Sequence, residues 1–314
     1  MRQVLVLAGG LSHERDVSLR SGRRVADTLA NSGYEAVVRD VDPTLMAAIK
    51  NSRPDVIWPL LHGSSGEDGA LRDVLGALDI AYIGSRPASC RLTWDKPVAK
   101  ALVEAVGIST PAGMALSHAT FRELGAPALL ESVIDSLGLP LAVKPARGGS
   151  SLGLTIVRSA AELPSAMVNA YAYGDITLIE RFIVGTEVAV SIVEDAEGQA
   201  HTLPAVEIVP DGGVYNYEAR YTAGATEFFT PARLSSSVSA SVAAASLAAY
   251  RTLGHRHLSR VDLIIDKDER PWFLEANVSP GMTETSLLPM AVEAAGRNVA
   301  GVYGAIVERA LSTT

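Results

Sequence analysis

Val4-Leu5-Val6-Leu7 is an unbroken apolar run that ends on Gly9-Gly10, and over residues 17–30 the apolar positions recur at helical spacing. A short apolar run closed by turn residues predicts a buried parallel strand, and a 3.6-residue recurrence after it predicts an amphipathic helix. The alternation continues with a strand over 36–41, a helix over 45–50 and a strand over 56–60. Strands alternating with helices predict an open parallel α/β sheet, with this first domain ending near Thr93.

The pattern then changes. A helix over 95–106 and a strand over 141–144 lead into Pro145-Ala146-Arg147-Gly148-Gly149-Ser150-Ser151-Leu152-Gly153, whose glycines and serines predict a mobile loop between two strands. A helix over 160–173, a strand over 177–181 and another beginning at Glu187 predict a small α+β middle unit. In the last part we expect strands over 188–193 and 205–209, then a helix over 240–253 that starts in the Ser/Ala run 235–246. Paired strands over 260–265 and 272–277 follow, and a closing helix runs from Pro289 onward. The predicted fold class is therefore α/β: an N-terminal parallel-sheet domain over 1–94, then two α+β subdomains over 95–184 and 185–314. A chain of 314 residues is long enough for such a division.

Composition narrows the function. Hydrophobic residues at 48% and charged residues at 20% describe an ordinary globular protein. The net charge of -8 argues against a surface built to neutralise nucleic-acid phosphates or anionic lipid, and favours small-molecule chemistry. No apolar stretch is long enough to span a bilayer, and the run at the N-terminus is too short for a secretory signal. Cys90, the only cysteine, has no internal disulfide partner and no zinc-like neighbours, which fits a reducing cytoplasm.

Five groups of residues carry candidate chemistry. Asp262, Glu275 and Asn277 lie on two apolar strands, and strand alternation sets Glu275 and Asn277 on one face with Leu274 and Ala276 on the other. Paired carboxylates on a core strand suit magnesium, which takes hard oxygen ligands and fills its shell with water and phosphate, although a structural ion pair fits the same residues. Lys144 precedes the glycine- and serine-rich loop, whose amides together with the Ser150 and Ser151 hydroxyls suit phosphate; a plain flexible turn is the alternative, and no P-loop pattern is present. Glu180 and Glu187 bracket Arg181-Phe182-Ile183-Val184-Gly185, a strand end able to hold adenine by backbone groups such as those of Ile183, with a carboxylate for ribose; glutamates at strand ends are also simply solvated. Glu14 follows Gly9-Gly10-Leu11-Ser12-His13 at the carboxyl edge of the sheet, where ligands bind in such folds and where a helix start also favours an acid. His62 opens the polar turn His62-Gly63-Ser64-Ser65-Gly66-Glu67-Asp68-Gly69, readable as site lining or as a capped helix start with a structural histidine.

The order of these residues, Lys96, Lys144 with its loop, Glu180, Glu187, Arg260, Asp262, Glu275 and Asn277, resembles the ATP-grasp superfamily. Within it the chain resembles the D-alanine:D-alanine ligases over nearly its whole length. The likeness runs through Gly9-Gly10-x-Ser-x-Glu14, His62-Gly63, Gly66-Glu67-Asp68-Gly69, Asp95-Lys96, Lys144-Pro145 and Gly149-Ser150-Ser151-x-Gly153. It continues through Tyr217-Glu218-Ala219-Arg220-Tyr221, Arg260-Val261-Asp262 and Glu275-Ala276-Asn277-x-Ser279-Pro280-Gly281-Met282-Thr283 with Ser286-Leu287.

The resemblance implies a clamp of two antiparallel sheets around ATP, with Lys96, Lys144, Ser151 and Arg220 on the phosphate side, Glu180 and Ile183 at adenine, and Glu187 on ribose. Two magnesium ions, or manganese in their place, would sit on Asp262, Glu275 and Asn277. Glu14 would meet the ammonium of the first D-alanine in a set with Ser150 and Tyr221, either of which could help deprotonate the incoming amine. Arg260 and the Gly281 amide would stabilise the oxyanion. Ser286 and Leu287 would hold the second substrate's carboxylate and set its chirality, with His62 near that subsite. The implied activity is ADP-forming ligation of two D-alanines through an acyl phosphate for peptidoglycan precursors, in the cytoplasm, by a homodimer joined through the first domain. A relative using D-serine, D-lactate or another second substrate is the alternative within the family, with Tyr221 favouring an amine. A nucleotide-binding regulator without turnover is the alternative outside it. Arg220 departs from the family's usual lysine, Gly148 from a glutamate, and Leu11 and Val278 from threonines.

Overall fold

The structure, a computed structural model, describes residues 1–222 and 224–313; of the expected closing loop over 215–226, Ala223 lies outside the described residues, as does Thr314. The first unit carries strands β1 (Gln3–Leu7), β2 (Glu35–Arg39), β3 (Val56–Pro59) and β4 (Ala81–Tyr82), all parallel in the order β2-β1-β3-β4. Helices α1 (Arg15–Ala30), α2 (Leu45–Ser52), α3 (Ser64–Glu67), α4 (Ala70–Ala77), α5 (Pro87–Trp94) and α6 (Lys96–Ala105) intersperse and follow them. The unbroken apolar run in β1 reflects burial on both faces: Val4 and Val6 enter one core cluster, while Leu5 and Leu7 enter another. Helices α3 to α5 are not among the predicted elements, because α3 is a single turn and α4 and α5 span only eight residues each, too short for a periodic pattern to stand out.

The middle unit is a four-stranded antiparallel sheet in the order β5-β8-β6-β7, made of β5 (Gly113–Ser117), β6 (Leu141–Pro145), β7 (Thr155–Val157) and β8 (Ile176–Arg181). Helices α7 (His118–Leu124), α8 (Ala126–Leu137) and α9 (Leu163–Tyr171) accompany it, the last two burying Leu130, Val133, Ala166 and Met167 against Val143 and Ile179. The helix expected over 160–173 opens as a 3-10 turn at Ala160–Glu162 and becomes α-helical with Pro164 in its first turn, where the missing N–H costs nothing.

The third sheet holds β9 (Thr186–Glu194), β10 (Ala200–Thr202), β11 (Val206–Pro210), β12 (Thr226–Phe229), β13 (Leu258–Ile265) and β14 (Pro271–Asn277), in the order β12-β11-β9-β13-β14 with β10 also on β9. Helices α10 (Tyr217–Tyr221), α11 (Ser236–Thr252), α12 (Leu287–Ala294) and α13 (Val299–Ser312) complete the chain. The strand expected to begin at Glu187 and the one over 188–193 are one continuous strand, β9. Its Val188, Val190 and Ile192 face a core under α11 and α6, whereas Ala189 and Val193 face the core shared with the first unit. The single closing helix is two, broken at Gly296, whose φ of +67° stops α12.

In β14 the strict alternation fails. Asp262 pairs with Glu275 but Leu263 with Phe273, so Leu274 is an extra residue in a bulge. Phe273 and Ala276 therefore both enter the core, while Leu274, expected opposite Glu275, lines the same cavity as Glu275.

The first and third units are bolted together. Trp58 meets Tyr303 edge-on at 5.3 Å. The segment before β13 docks on the end of β4: the Gly84 N–H donates to Nδ1 of His257 at 3.1 Å, and Arg256 donates to the Gly84 carbonyl at 2.7 Å. The His255 ring lies between the Thr93 and Ser259 hydroxyls at 2.7 and 2.8 Å. Burial pushes both histidines down from 6.5 to about 3. The unfolded chain takes up these protons below about pH 6.5, so their contribution is complete above that pH and is lost as pH falls toward 3. His257→Asn keeps a side-chain acceptor for the Gly84 N–H and cannot titrate. Calorimetry at stepped pH is expected to show the variant losing roughly 1 kcal/mol less stability than wild type over the first pH unit below that point. Parallel melting curves for the two proteins would refute the assignment.

Candidate active site

Two cavities meet between the units, one of about 550 Å³ and one of about 440 Å³. Lys96, Gly148, Gly149, Tyr215, Arg220 and Glu275 line both and so form their junction.

The larger cavity holds the amino-acid residues expected from the sequence. Glu14 stands where the chain enters α1, and its Oε1 accepts from the Ser150 hydroxyl and, at 3.1 Å, from the Tyr221 hydroxyl. Ser150 and Tyr221 are themselves 2.6 Å apart. Three segments distant in sequence thus converge on one carboxylate. Burial, followed by the charge of Glu14, raises the Tyr221 phenol above its ordinary range. Tyr221 therefore donates to Glu14 and is a poor base, which leaves the expected deprotonating role unsupported for this residue. Ser150 and Ser151 both adopt left-handed backbone, with φ of 52° and 56°, a strained conformation common at functional sites. The loop expected to be mobile is tied down on both sides, because Ser151 donates to the Tyr215 carbonyl at 2.9 Å and receives from Arg220 at 3.2 Å.

His62 is buried beside Glu14 and Arg260, burial holds it below its usual range, and its Nε2 makes no hydrogen bond among the described residues. Glu67, in the polar turn but not singled out beforehand, also lines this cavity; burial, followed by the charge of Glu14, pushes its carboxyl up to about 8. Gly281, Ser286 and Leu287 line the same cavity. A Cβ at Gly281 would meet Ser286 Oγ at 2.8 Å, so a larger residue there would displace the Ser286 hydroxyl. Ser286 Oγ accepts the Thr283 N–H at 2.9 Å and stands 2.8 Å from the Thr283 hydroxyl. Val278 lines the cavity, while Leu11 is fully exposed.

The smaller cavity is lined by Ile183 and its neighbours just past the end of β8, by Glu187 on β9, and by Lys144 and Glu180. Glu180 is only 2% exposed and bridges two lysines: Lys144 Nζ at 2.6 Å from Oε1, and Lys100 Nζ on Oε2. Burial opposes its ionisation, but the two ammonium groups outweigh burial and hold its carboxyl below the usual range. Lys100 escaped the sequence reading, although it lies one helical turn beyond Lys96 on α6. Among the described residues Glu187 has no such partner, and burial raises it to about 7.

At the junction Lys96 donates to the Gly148 carbonyl at 2.6 Å and lies 3.3 Å from Glu275. Arg260 forks onto Asp262 with two bonds of 2.7 Å. Burial opposes the charge on Glu275, yet Lys96, Lys144, Arg220 and Arg260 hold its carboxyl down at about 2. Asp262 and Glu275 are register partners across β13 and β14, as are Arg260 and Asn277. This donor set, two carboxylates and an amide oxygen, fits a hard divalent cation. Among the described residues no cluster of three or more His, Cys, Asp or Glu could hold a metal by itself, so phosphate oxygens would have to complete the shell.

The sequence model described as D-ala D-ala ligase C-terminus matches residues 102–308. A D-alanine--D-alanine ligase of Bordetella petrii is 41% identical over 308 residues, 98% of this chain and 92% of that protein. The D-alanine--D-alanine ligase of Bacillus anthracis, solved in complex with ATP, superposes with a TM-score of 0.83 at 31% identity, covering 99% of this chain and 98% of that one. The VanG D-Ala:D-Ser ligase of Enterococcus faecalis shares the fold at a TM-score of 0.85, with 24% identity and coverage of 98% and 99%.

Proposed function

Because the chain belongs to the D-alanine--D-alanine ligase family, whose members match it almost from end to end, we propose that it joins two D-alanines into D-alanyl-D-alanine with conversion of ATP to ADP and phosphate. The observation that carries this reading is the meeting of an amino-acid cavity, built on Glu14, Ser150 and Tyr221, with a nucleotide-sized cavity at Lys96 and Glu275.

In this reading the carboxylate of the first D-alanine attacks the γ-phosphate and leaves as an acyl phosphate. The amine of the second attacks that carbonyl, and phosphate departs. Glu14 receives the ammonium of the first substrate, and Ser150 and Tyr221 fix the orientation of its carboxylate. Adenine lies along the Ile183 edge beside Glu180, with Glu187 toward ribose, and Lys96, Lys144, Ser151 and Arg220 face the phosphates. Arg260 and the Gly281 N–H are aimed at the oxyanion of the tetrahedral intermediate, while His62, Ser286 and Leu287 border the second substrate. Such catalysis is mostly positioning and charge neutralisation. Asp262, Glu275 and Asn277 would hold two magnesium ions, or manganese, supplying charge neutralisation among the phosphates.

The division at 1–94, 95–184 and 185–314 is our working domain assignment. We also assign the protein to the cytoplasm, where ATP and peptidoglycan precursors occur; no helix among the described residues is long and apolar enough to cross a membrane. A homodimer through the first domain is the proposed assembly, and light scattering should return twice the mass of one chain.

The function is tested by ADP release with ATP and magnesium across D-alanine, L-alanine, D-serine and D-lactate, with Glu275→Ala as control. Turnover on D-alanine, absent in the control, supports the reading. Turnover only with another acceptor would replace the substrate and keep the mechanism, and ATP binding without turnover on any acid would favour a regulator.

A further inference from the structure

Glu180 stands on β8, which lies between β5 and β6 in the middle sheet. Its register partner in β5 is Gly113, where a Cβ would come within 2.8 Å of the Glu180 Cβ, so the sheet packs tightly against the root of this side chain. The two lysines on its carboxylate differ in what else they can reach. Lys144, 2.6 Å from Oε1, also lines the smaller cavity. Lys100, on Oε2, is buried and lines neither cavity among the described residues. The two ammonium groups repel one another, and Glu275 attracts Lys144 from the other side.

A lysine on the cavity wall can turn to the phosphates of a bound nucleotide, whereas one behind the wall cannot. With Lys144 turned away, Lys100 is the cation that remains in contact with a carboxylate only 2% exposed. Deprived of Lys100 as well, that group would take up a proton, because burial penalises its charged form. A carboxylate only accepts hydrogen bonds, whereas a carboxylic acid also donates. The carboxylate therefore matches an amino group on the edge of a base and repels a carbonyl oxygen in the same place, which the acid would tolerate. We infer that Lys100 is a positioning residue, the lasting counter-ion of Glu180 when Lys144 serves the phosphates, and that it makes the base pocket select a 6-aminopurine over a 6-oxopurine. The inference rests on the nucleotide part of the reading above, with the base beside Glu180.

The test compares ATP, inosine triphosphate and purine riboside triphosphate, which carry an amino group, an oxygen and a hydrogen at the same position of the base. Wild type should show its lowest KM for ATP and its highest for the inosine nucleotide, since an oxygen facing a carboxylate is worse than no group. This comparison requires no variant to fold. Lys100→Gln keeps a hydrogen-bond donor without the charge. In it the ratio of kcat/KM for ATP over the inosine nucleotide should fall roughly tenfold or more, while the KM of D-alanine stays within about twofold. Lys100→Arg keeps the charge and should retain most of the ratio. A merely destabilised protein would lose all three nucleotides alike. Wild type using the inosine nucleotide no worse than the purine riboside one, or a ratio that survives in Lys100→Gln, would overturn the role of Lys100. Protection from melting by each nucleotide, without amino acid, reads the same order independently of ligation. That order in a wild type making no dipeptide would remove the ligase reading and leave this inference standing.

Discussion

Arg260→Ala is expected to lower kcat by about 100- to 1,000-fold, with a much smaller change in the KM of ATP, when ADP release is followed at saturating D-alanine. The guanidinium is buried beside the junction of the two cavities, and in the proposed reaction it would meet charge that develops at the acyl carbonyl, not the substrates in their ground state. The substitution also strips Asp262 of its two 2.7 Å bonds and leaves a buried carboxylate unpaired. A thermal melt run in parallel separates the two effects. Arg260→Lys keeps the charge and loses the fork, so it should recover part of the stability and little of kcat. Near-normal turnover in Arg260→Ala would show that the oxyanion is stabilised elsewhere.

Glu180→Gln is expected to be the most damaging change on the nucleotide side. It leaves the Lys100 and Lys144 ammonium groups confronting each other without the carboxylate that now takes one on each oxygen. Breaking a buried ion-pair set by removing one partner costs about 3 kcal/mol or more. For a chain of this size the melting temperature should fall by roughly 4–5 °C or more. The KM of ATP should rise at least about tenfold, since Lys144 would be displaced or neutralised. Saturating ATP should restore part of the lost stability, because its phosphates return negative charge to Lys144. A variant that melts with wild type and binds ATP normally would mean that the triad is dispensable.

How far the site could be read beforehand depended on how local each signal was. The β1 run, the α1 periodicity and the Lys144-to-Gly153 segment carry their meaning within a dozen residues, and all appear where expected. So does the convergence of Glu14, Ser150 and Tyr221, which the family likeness implies and the structure displays. What escaped depends on tertiary contact. Strand β5 could not be recognised alone because Gly113 is selected by its approach to β8, where a Cβ would lie 2.6 Å from the Ile179 carbonyl. The bulge at Leu274 exists only through the register of β13. Lys100 had a signal, its position one turn from Lys96, but its meaning depends on Glu180 arriving from another strand. Glu67 sat inside a recognised turn, yet only burial near Glu14 makes it a perturbed carboxyl. The two buried histidines at the domain junction had no sequence mark, since their partners Gly84 and Thr93 lie over 160 residues away.

The central claim is that this chain activates the carboxylate of D-alanine by phosphorylation and then couples it to a second D-alanine. It is tested most directly by supplying D-alanine labelled with oxygen-18 in its carboxyl group, together with ATP and magnesium, and analysing both products by mass spectrometry. The account predicts D-alanyl-D-alanine and inorganic phosphate carrying one labelled oxygen per turnover, because the acyl phosphate breaks at the carbon-oxygen bond when the amine attacks. Phosphate released without label, or label transfer without dipeptide, would contradict it.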